Sequence, residues 1–281
     1  MKFKKNTITI NNRKFFYLDN NVPKRVIILL HGFPGNHLGL VELANYIGGN
    51  NYRLIIPDLP ACGSSDPLEK KHNLKNYSDW LNDFLKNLSI NEAIIIGHSF
   101  GSRIALVFTN YYPKKVERLV LITPVLKVDG LLNRIISIYY GITGILPEYL
   151  QKIMLSNGFG KKVGDKIIFK SANPKIHEKI INRDIKEIKK IKPRVSIEIF
   201  NEFYKFSLIS TGKEIKKHSL IIAGESDRIS PLGPIRELVS QLSNVKLEIM
   251  KNCGHLVPLE KPKNTANIIK KWLKKNEIMI K

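Results

Sequence analysis

Apolar positions along the chain fall into short runs, separated by longer segments in which apolar residues return with a helical period. Thr7 to Asp19 reads as a β-hairpin that turns at Asn11-Asn12. Arg25 to Leu30 is a nearly continuous apolar run, of the kind buried on both faces of a parallel sheet. Runs of similar length recur at Tyr52 to Ile56, Ala93 to Ile96, Leu119 to Ile122, Leu220 to Ala223 and Val245 to Ile249. Most are far enough apart to hold a crossover helix. Helices are predicted over Leu38 to Ile47, Leu74 to Leu88, Ser99 to Tyr111, Pro231 to Gln241 and Pro262 to Lys275, with Pro231 and Pro262 suited to first-turn positions. This alternation predicts an α/β protein with a doubly wound, mostly parallel sheet.

The alternation stops between Thr123 and Leu220. Apolar and aromatic residues crowd Leu131 to Met154, Lys175 to Lys192 is lysine-rich with a helical period, and no convincing strand intervenes. A structureless loop of that length is uncommon in a compact domain. The expected organisation is therefore a core of residues 1–124 and 218–281, interrupted by a helical lid over residues 125–217.

Composition narrows the class. A chain of 281 residues with 43% hydrophobic content buries a substantial core. Two cysteines, Cys62 and Cys253, are too few for a disulfide framework and suit a reduced, cytoplasmic protein. The lysine-bearing stretch from Met1 to Ile10 has no apolar segment of the signal-peptide kind, and no run reaches membrane-spanning length, so a soluble protein is expected. The formal charge of +22 would fit nucleic acid or an anionic surface. Because the lysines are scattered and no basic stripe interleaves with aromatics, no nucleic-acid partner is expected; peripheral contact of a lysine-flanked lid with anionic lipid stays open.

Candidate chemistry gathers at the strand ends. Gly97-His98-Ser99-Phe100-Gly101 follows the apolar Ile94-Ile95-Ile96 and leads into a helical pattern, the context of a nucleophile elbow in which Ser99 stands clear of the sheet on a strained turn. A serine nucleophile needs a base, and the base needs an orienting acid. Of seven histidines only His255 follows Asp227, and each lies just beyond an apolar strand, which brings both to the sheet edge that holds Ser99. Glu225, a rival acid, sits too near its strand end to point the same way. Taken alone, Asp227 also fits a turn or N-cap, and His255 a structural loop histidine. The backbone N–H groups of Phe33, in the loop His31-Gly32-Phe33-Pro34-Gly35, and of Phe100 are candidate oxyanion donors.

Together with Pro57-Asp58-Leu59-Pro60-Ala61-Cys62-Gly63-Ser64-Ser65, Gly224 to Asp227 with Pro231, and Gly254-His255, this ordered set resembles the α/β-hydrolase superfamily. It is most similar to the branch of small lid-bearing esterases and C–C bond hydrolases. The likeness covers roughly residues 7 to 124 and 218 to 276. It implies an α/β-hydrolase fold and acyl transfer through Ser99, His255 and Asp227, with no cofactor and no metal. Ala61-Cys62-Gly63 departs from the usual Gly and bulky residue of that loop, and Ser99 stands where epoxide hydrolases and haloalkane dehalogenases use aspartate. The expected substrate is a small to medium apolar ester, held against Phe33, Phe100, Ile135, Tyr139, Leu146 and Val257. A C–C hydrolase or lyase, and a ligand receptor on the same scaffold, are the alternatives.

Overall fold

The computed structural model describes residues 1–48, 51–127, 146–156, 186–205 and 207–277, together with Ile138, Ile142, Thr143 and Arg183. Strands β1 (Lys4–Ile10) and β2 (Arg13–Asp19) form the hairpin, with Asn11 and Asn12 at φ 49° and 60° in its two-residue turn. Both residues in the left-handed region match the right-handed twist of a hairpin, and asparagine tolerates that conformation. Then come β3 (Val26–Leu30), α1 (Leu38–Ile47), β4 (Arg53–Pro57), α2 (Leu74–Asn87), β5 (Ala93–His98), α3 (Phe100–Tyr111) and β6 (Val116–Ile122). After an interval come β7 (Ser219–Gly224), α6 (Leu232–Gln241), β8 (Val245–Met250), the short α7 (Val257–Glu260) and α8 (Pro262–Glu277).

One eight-stranded sheet has the order β1-β2-β4-β3-β5-β6-β7-β8. The β1–β2 and β2–β4 pairs are antiparallel and the rest parallel. Alternate residues of the central strands face opposite layers. Ile95, Leu119, Leu121 and Ile221 pack with α2, α3 and α6, whereas Ile94, Ile96, Val120 and Ile222 pack with α1 and α8. The unbroken apolar runs follow from this, since both faces of those strands are covered.

The chain winds from β3 outward to β4, then returns past β3 to β5. The crevice between the loops that leave β3 and β5 is therefore the topological switch point, where open α/β sheets gather their sites.

Element ends differ from the sequence expectation in two instructive places. Ser99 precedes α3 rather than starting it, because φ 53° and ψ −113° lie outside helical space. Pro231 is the N-cap of α6 with φ −65° and ψ 156°, not its first-turn residue; its extended ψ turns the chain into the helix one position later. Pro262 does open α8. Between β6 and β7 the described elements are helical: α4 (Glu148–Ser156), a short helix over 186–190, α5 (Pro193–Lys205) and a 3-10 turn at Ser210–Glu214. Among the described residues, no helix is long and apolar enough to cross a membrane.

Candidate active site

The turn between β5 and α3 brings backbones so close that only glycine fits on either side. A Cβ on Gly97 would lie 2.3 Å from the Gly101 carbonyl oxygen, and one on Gly101 would lie 2.2 Å from that of Leu30. Between them Ser99 is held by its own N–H, which donates to the Ile122 carbonyl at 3.0 Å. A non-glycine residue in this backbone region stores about 1–3 kcal/mol of strain and persists where its surroundings impose it.

Parallel pairing of β7 with β8 delivers the two partners. The loops beyond them are tied together by Ser226 N–H, which donates to the Cys253 carbonyl at 3.0 Å. His255 Nε2 lies 2.8 Å from Ser99 Oγ, and His255 Nδ1 lies 2.8 Å from Asp227 Oδ2. A carboxylate accepts only, so Nδ1 carries the proton of the neutral ring and Nε2 is left to accept from the serine hydroxyl. Asp227 Oδ1 accepts from the N–H groups of Ile229 at 2.8 Å and Ser230 at 2.9 Å, which fixes the carboxylate plane. The turn role that Asp227 alone suggested and its role toward His255 thus coexist, one on each oxygen. All three side chains are buried. Glu225, the rival acid, is instead engaged with the N–H of Asn252.

The loop after β3 closes a turn in which Gly35 N–H donates to the Gly32 carbonyl at 2.8 Å. Phe33 occupies the second position, where the N–H takes no part in the turn's own bond. Phe100 opens α3, and a first-turn N–H has no intrahelical acceptor. His31 braces this loop: its Nδ1–H faces the Gly32 carbonyl at 2.8 Å, while Nε2 accepts from Leu59 N–H at 3.0 Å. Burial pushes the His31 pKa down to about 4, so the ring stays neutral and keeps both bonds.

Several residues near the site carry no local sequence signal. Helix α5 contributes Phe200, whose ring meets that of Phe33 edge-on at 5.5 Å, and Phe203, 5.4 Å from the Phe100 ring. The same helix is anchored to the start of α2. Glu198 accepts from His72 N–H at 2.8 Å and Glu202 from Leu74 N–H at 3.1 Å. The expected pocket residues fare unevenly. Phe33 is half-buried, and Phe100 is buried in the aromatic group. Leu146 is half-buried, and its carbonyl accepts from Gln151 Nε2 at 2.8 Å. Val257 is fully buried in the core layer with Ile122 and Trp272, so it packs as core. Ile135 and Tyr139 lie outside the described residues. Ile138 and Ile142, in the apolar stretch Leu131 to Met154, are 61% and 50% exposed. Among the described residues no group of His, Cys, Asp and Glu could hold a metal ion. Both cysteines are free and buried, and burial pushes both thiols up, that of Cys253 to about 12.

Switch-point crevice, strained serine and ordered Ser–His–Asp contacts define one class, and the sequence match agrees: residues 25–262 match the family described as alpha/beta hydrolase fold. The chain belongs to this family. Among its relatives, the human monoacylglycerol lipase ABHD6 is 24% identical over 88% of this chain and 74% of that protein. Lipase 3 of Moraxella sp. (strain TA144) is 23% identical over 95% of this chain and 83% of its own. Among solved structures, an esterase from Thermogutta terrifontis aligns with a TM-score of 0.76 at 18% identity, covering 98% of this chain and 99% of that one. The alpha/beta hydrolase MGS-M2, from a deep-sea metagenome library, aligns with a TM-score of 0.78 at 22% identity, covering 96% and 97%.

Proposed function

We propose that this chain is a serine hydrolase that cleaves esters of small to medium apolar acyl groups, of the lipid-derived kind, through an acyl-enzyme on Ser99. The observation that carries the reading is the bridging position of His255, 2.8 Å from both Ser99 Oγ and Asp227 Oδ2. Relatives named as lipases and monoacylglycerol lipases support ester hydrolysis over C–C bond cleavage.

In the first half-reaction Ser99 Oγ attacks the ester carbonyl while His255 Nε2 takes its proton. Asp227 holds the imidazole in the tautomer that leaves Nε2 free to accept and stabilises the imidazolium that forms. The carbonyl oxygen becomes an oxyanion facing the N–H groups of Phe33 and Phe100, where preorganised donors are worth more than water because they need not reorient. Collapse breaks the bond to the alcohol oxygen, which leaves with the proton from His255. Water then enters, gives its proton to His255 and its oxygen to the acyl carbon, and Ser99 departs reprotonated.

The test is labelling with a fluorophosphonate, which phosphonylates activated serines, in wild type and in Ser99→Ala, together with a p-nitrophenyl ester series from acetate upward. Labelling lost in Ser99→Ala, with turnover highest above acetate, is expected. Folded wild-type protein that neither labels nor turns over any ester overturns the reading.

A further inference from the structure

The backbone carbonyl of His255 lies just outside α7, whose first accepting carbonyl is that of Leu256. It is nevertheless fully engaged, by side chains from the last residue of β5 and the first residue after β6. We propose that His98 and Thr123 are positioning residues for His255: His98 Nε2–H at 3.1 Å and Thr123 Oγ1–H at 3.0 Å donate into that one carbonyl oxygen and set where the imidazole stands relative to Ser99. The proposal rests on the acyl-transfer reading above and assigns the main-chain support beneath its base.

Three further features single this pair out. First, Thr123 has φ 43°, a left-handed conformation that a β-branched residue adopts only under constraint. Glycine or asparagine would sit there with less strain, but glycine would bring no hydroxyl. The conformation ends β6 with Thr123 N–H on the Ile222 carbonyl at 2.8 Å and turns the side chain to His255. Second, both side chains are buried, Thr123 completely. Buried donors hold a carbonyl against competition from water, so the bonds are geometric constraints rather than surface decoration.

Third, His98 also touches the oxyanion loop. A Cβ built on Gly32 would come within 3.1 Å of Ser99 Cβ and 3.3 Å of His98 Nδ1. The imidazole of His98 is thus wedged between the Gly32 backbone and the His255 carbonyl, so that oxyanion loop, nucleophile elbow and base loop share one contact. Its role requires the proton on Nε2, since a carbonyl oxygen only accepts. Burial and the neighbouring His255 push its pKa down to about 3, so the ring stays neutral and places no second positive charge beside His255.

A misplacement of the base by a fraction of an ångström is enough to slow proton transfer, and a shift near 1 Å is worth about 100-fold. The experiment compares Thr123→Val, which keeps the shape and removes the donor, with Thr123→Ser, which keeps the hydroxyl. It likewise compares His98→Leu with His98→Gln, whose amide nitrogen reaches the former Nε2 position. The readouts are kcat and KM on the best p-nitrophenyl ester, the rate of fluorophosphonate labelling, and the melting temperature. Thr123→Val and His98→Leu are expected to lower kcat and the labelling rate by about 10- to 100-fold with KM little changed, as for a group that acts only on the reacting geometry. Thr123→Ser and His98→Gln recover most of that loss.

Two outcomes overturn the proposal while wild type still labels. Either donor-less variants react at the wild-type rate and merely melt lower, or Ser and Gln replacements fail to recover the rate although they melt normally. Should Thr123→Val not fold, the His98 pair decides alone. Folded wild-type protein that neither labels nor turns over any ester overturns the hydrolase reading and this proposal together.

Discussion

Arg103 Nη2 donates to the backbone carbonyl of Glu202 across 2.6 Å, joining the helix behind Ser99 to the helix that carries Phe200 and Phe203. Its Nη1 donates to the Val125 carbonyl, so one fully buried guanidinium spans the exit of β6 and the end of α5. Arg103→Ala leaves two buried carbonyls short of a donor and opens a cavity. The expected loss is about 3 kcal/mol, read as a lowered midpoint in urea unfolding. An unchanged midpoint would show that α5 is held without the guanidinium, by Glu198, Glu202 and its packed aromatic face.

The strained serine makes a second prediction, concerning stability without activity. Both Ser99→Ala and Ser99→Gly remove the hydroxyl and abolish turnover. Only glycine also relieves φ 53°, a gain of about 1–3 kcal/mol set against about 0.5–1 kcal/mol of extra freedom in the unfolded chain. Ser99→Gly is therefore expected to be the more stable of the two inactive variants by about 1 kcal/mol, measurable in parallel denaturant titrations.

Acid should unfold the protein earlier than its carboxylates alone would require. Burial lowers His31 and His72 to about 4 and His98 to about 3 in the folded chain, against about 6.5 when unfolded. Between those limits the unfolded state binds protons that the folded state refuses, so stability falls as pH drops below about 6.5 and continues to fall to about 4. With three such rings the slope near pH 5 approaches about 4 kcal/mol per pH unit. His72→Gln removes one ring that lies outside the candidate site, and stability measured from pH 7 to 4 should lose about one proton of that slope. A wild-type profile flat between pH 6.5 and 5 would contradict the buried neutral rings.

The aromatic contact between Phe33 and Phe200 should limit acyl length. Phe200→Ala is expected to raise the ratio of octanoate to acetate turnover by about tenfold, the scale of one or two methylenes gaining room in an apolar pocket. A ratio unchanged in folded Phe200→Ala would place the acyl group elsewhere.

How far the sequence disclosed this structure depends on the range of the interaction. The apolar runs announced all six parallel-sheet strands, and Asn11-Asn12 announced the hairpin, because burial on two faces and left-handed turn residues leave local marks. Ser99, Asp227 and His255 were also legible as positions in the loops just past strand ends, although Glu225 and Cys253 lie nearer to theirs than Asp227 and His255 do. Arg103, Glu198, Glu202, Phe200 and Thr123 were not. Each has at least one partner about a hundred residues or more away, and nothing in the spacing of residues around Thr123 or Glu202 distinguishes them from ordinary strand-end and helix residues. His98 was visible only as the variable position of a G-x-S-x-G motif, since its contact with the His255 carbonyl exists only once β5 and the loop after β8 share an edge.

The separation of 156 residues between Ser99 and His255 has a consequence for a chain that emerges from the ribosome in order. Strands β1 to β6 and the elbow leave the tunnel first, while β7, β8 and both partners of the serine are still unmade. Until residue 255 is out and β8 has paired, Ser99 is an ordinary alcohol with no base within reach. On the acyl-transfer reading proposed above, a nascent or truncated chain that ends before the last strand carries a chemically silent nucleophile. Reactivity toward a serine-directed probe would then report completed assembly of both halves of the sheet, and serve as a clock for folding as well as a measure of catalysis.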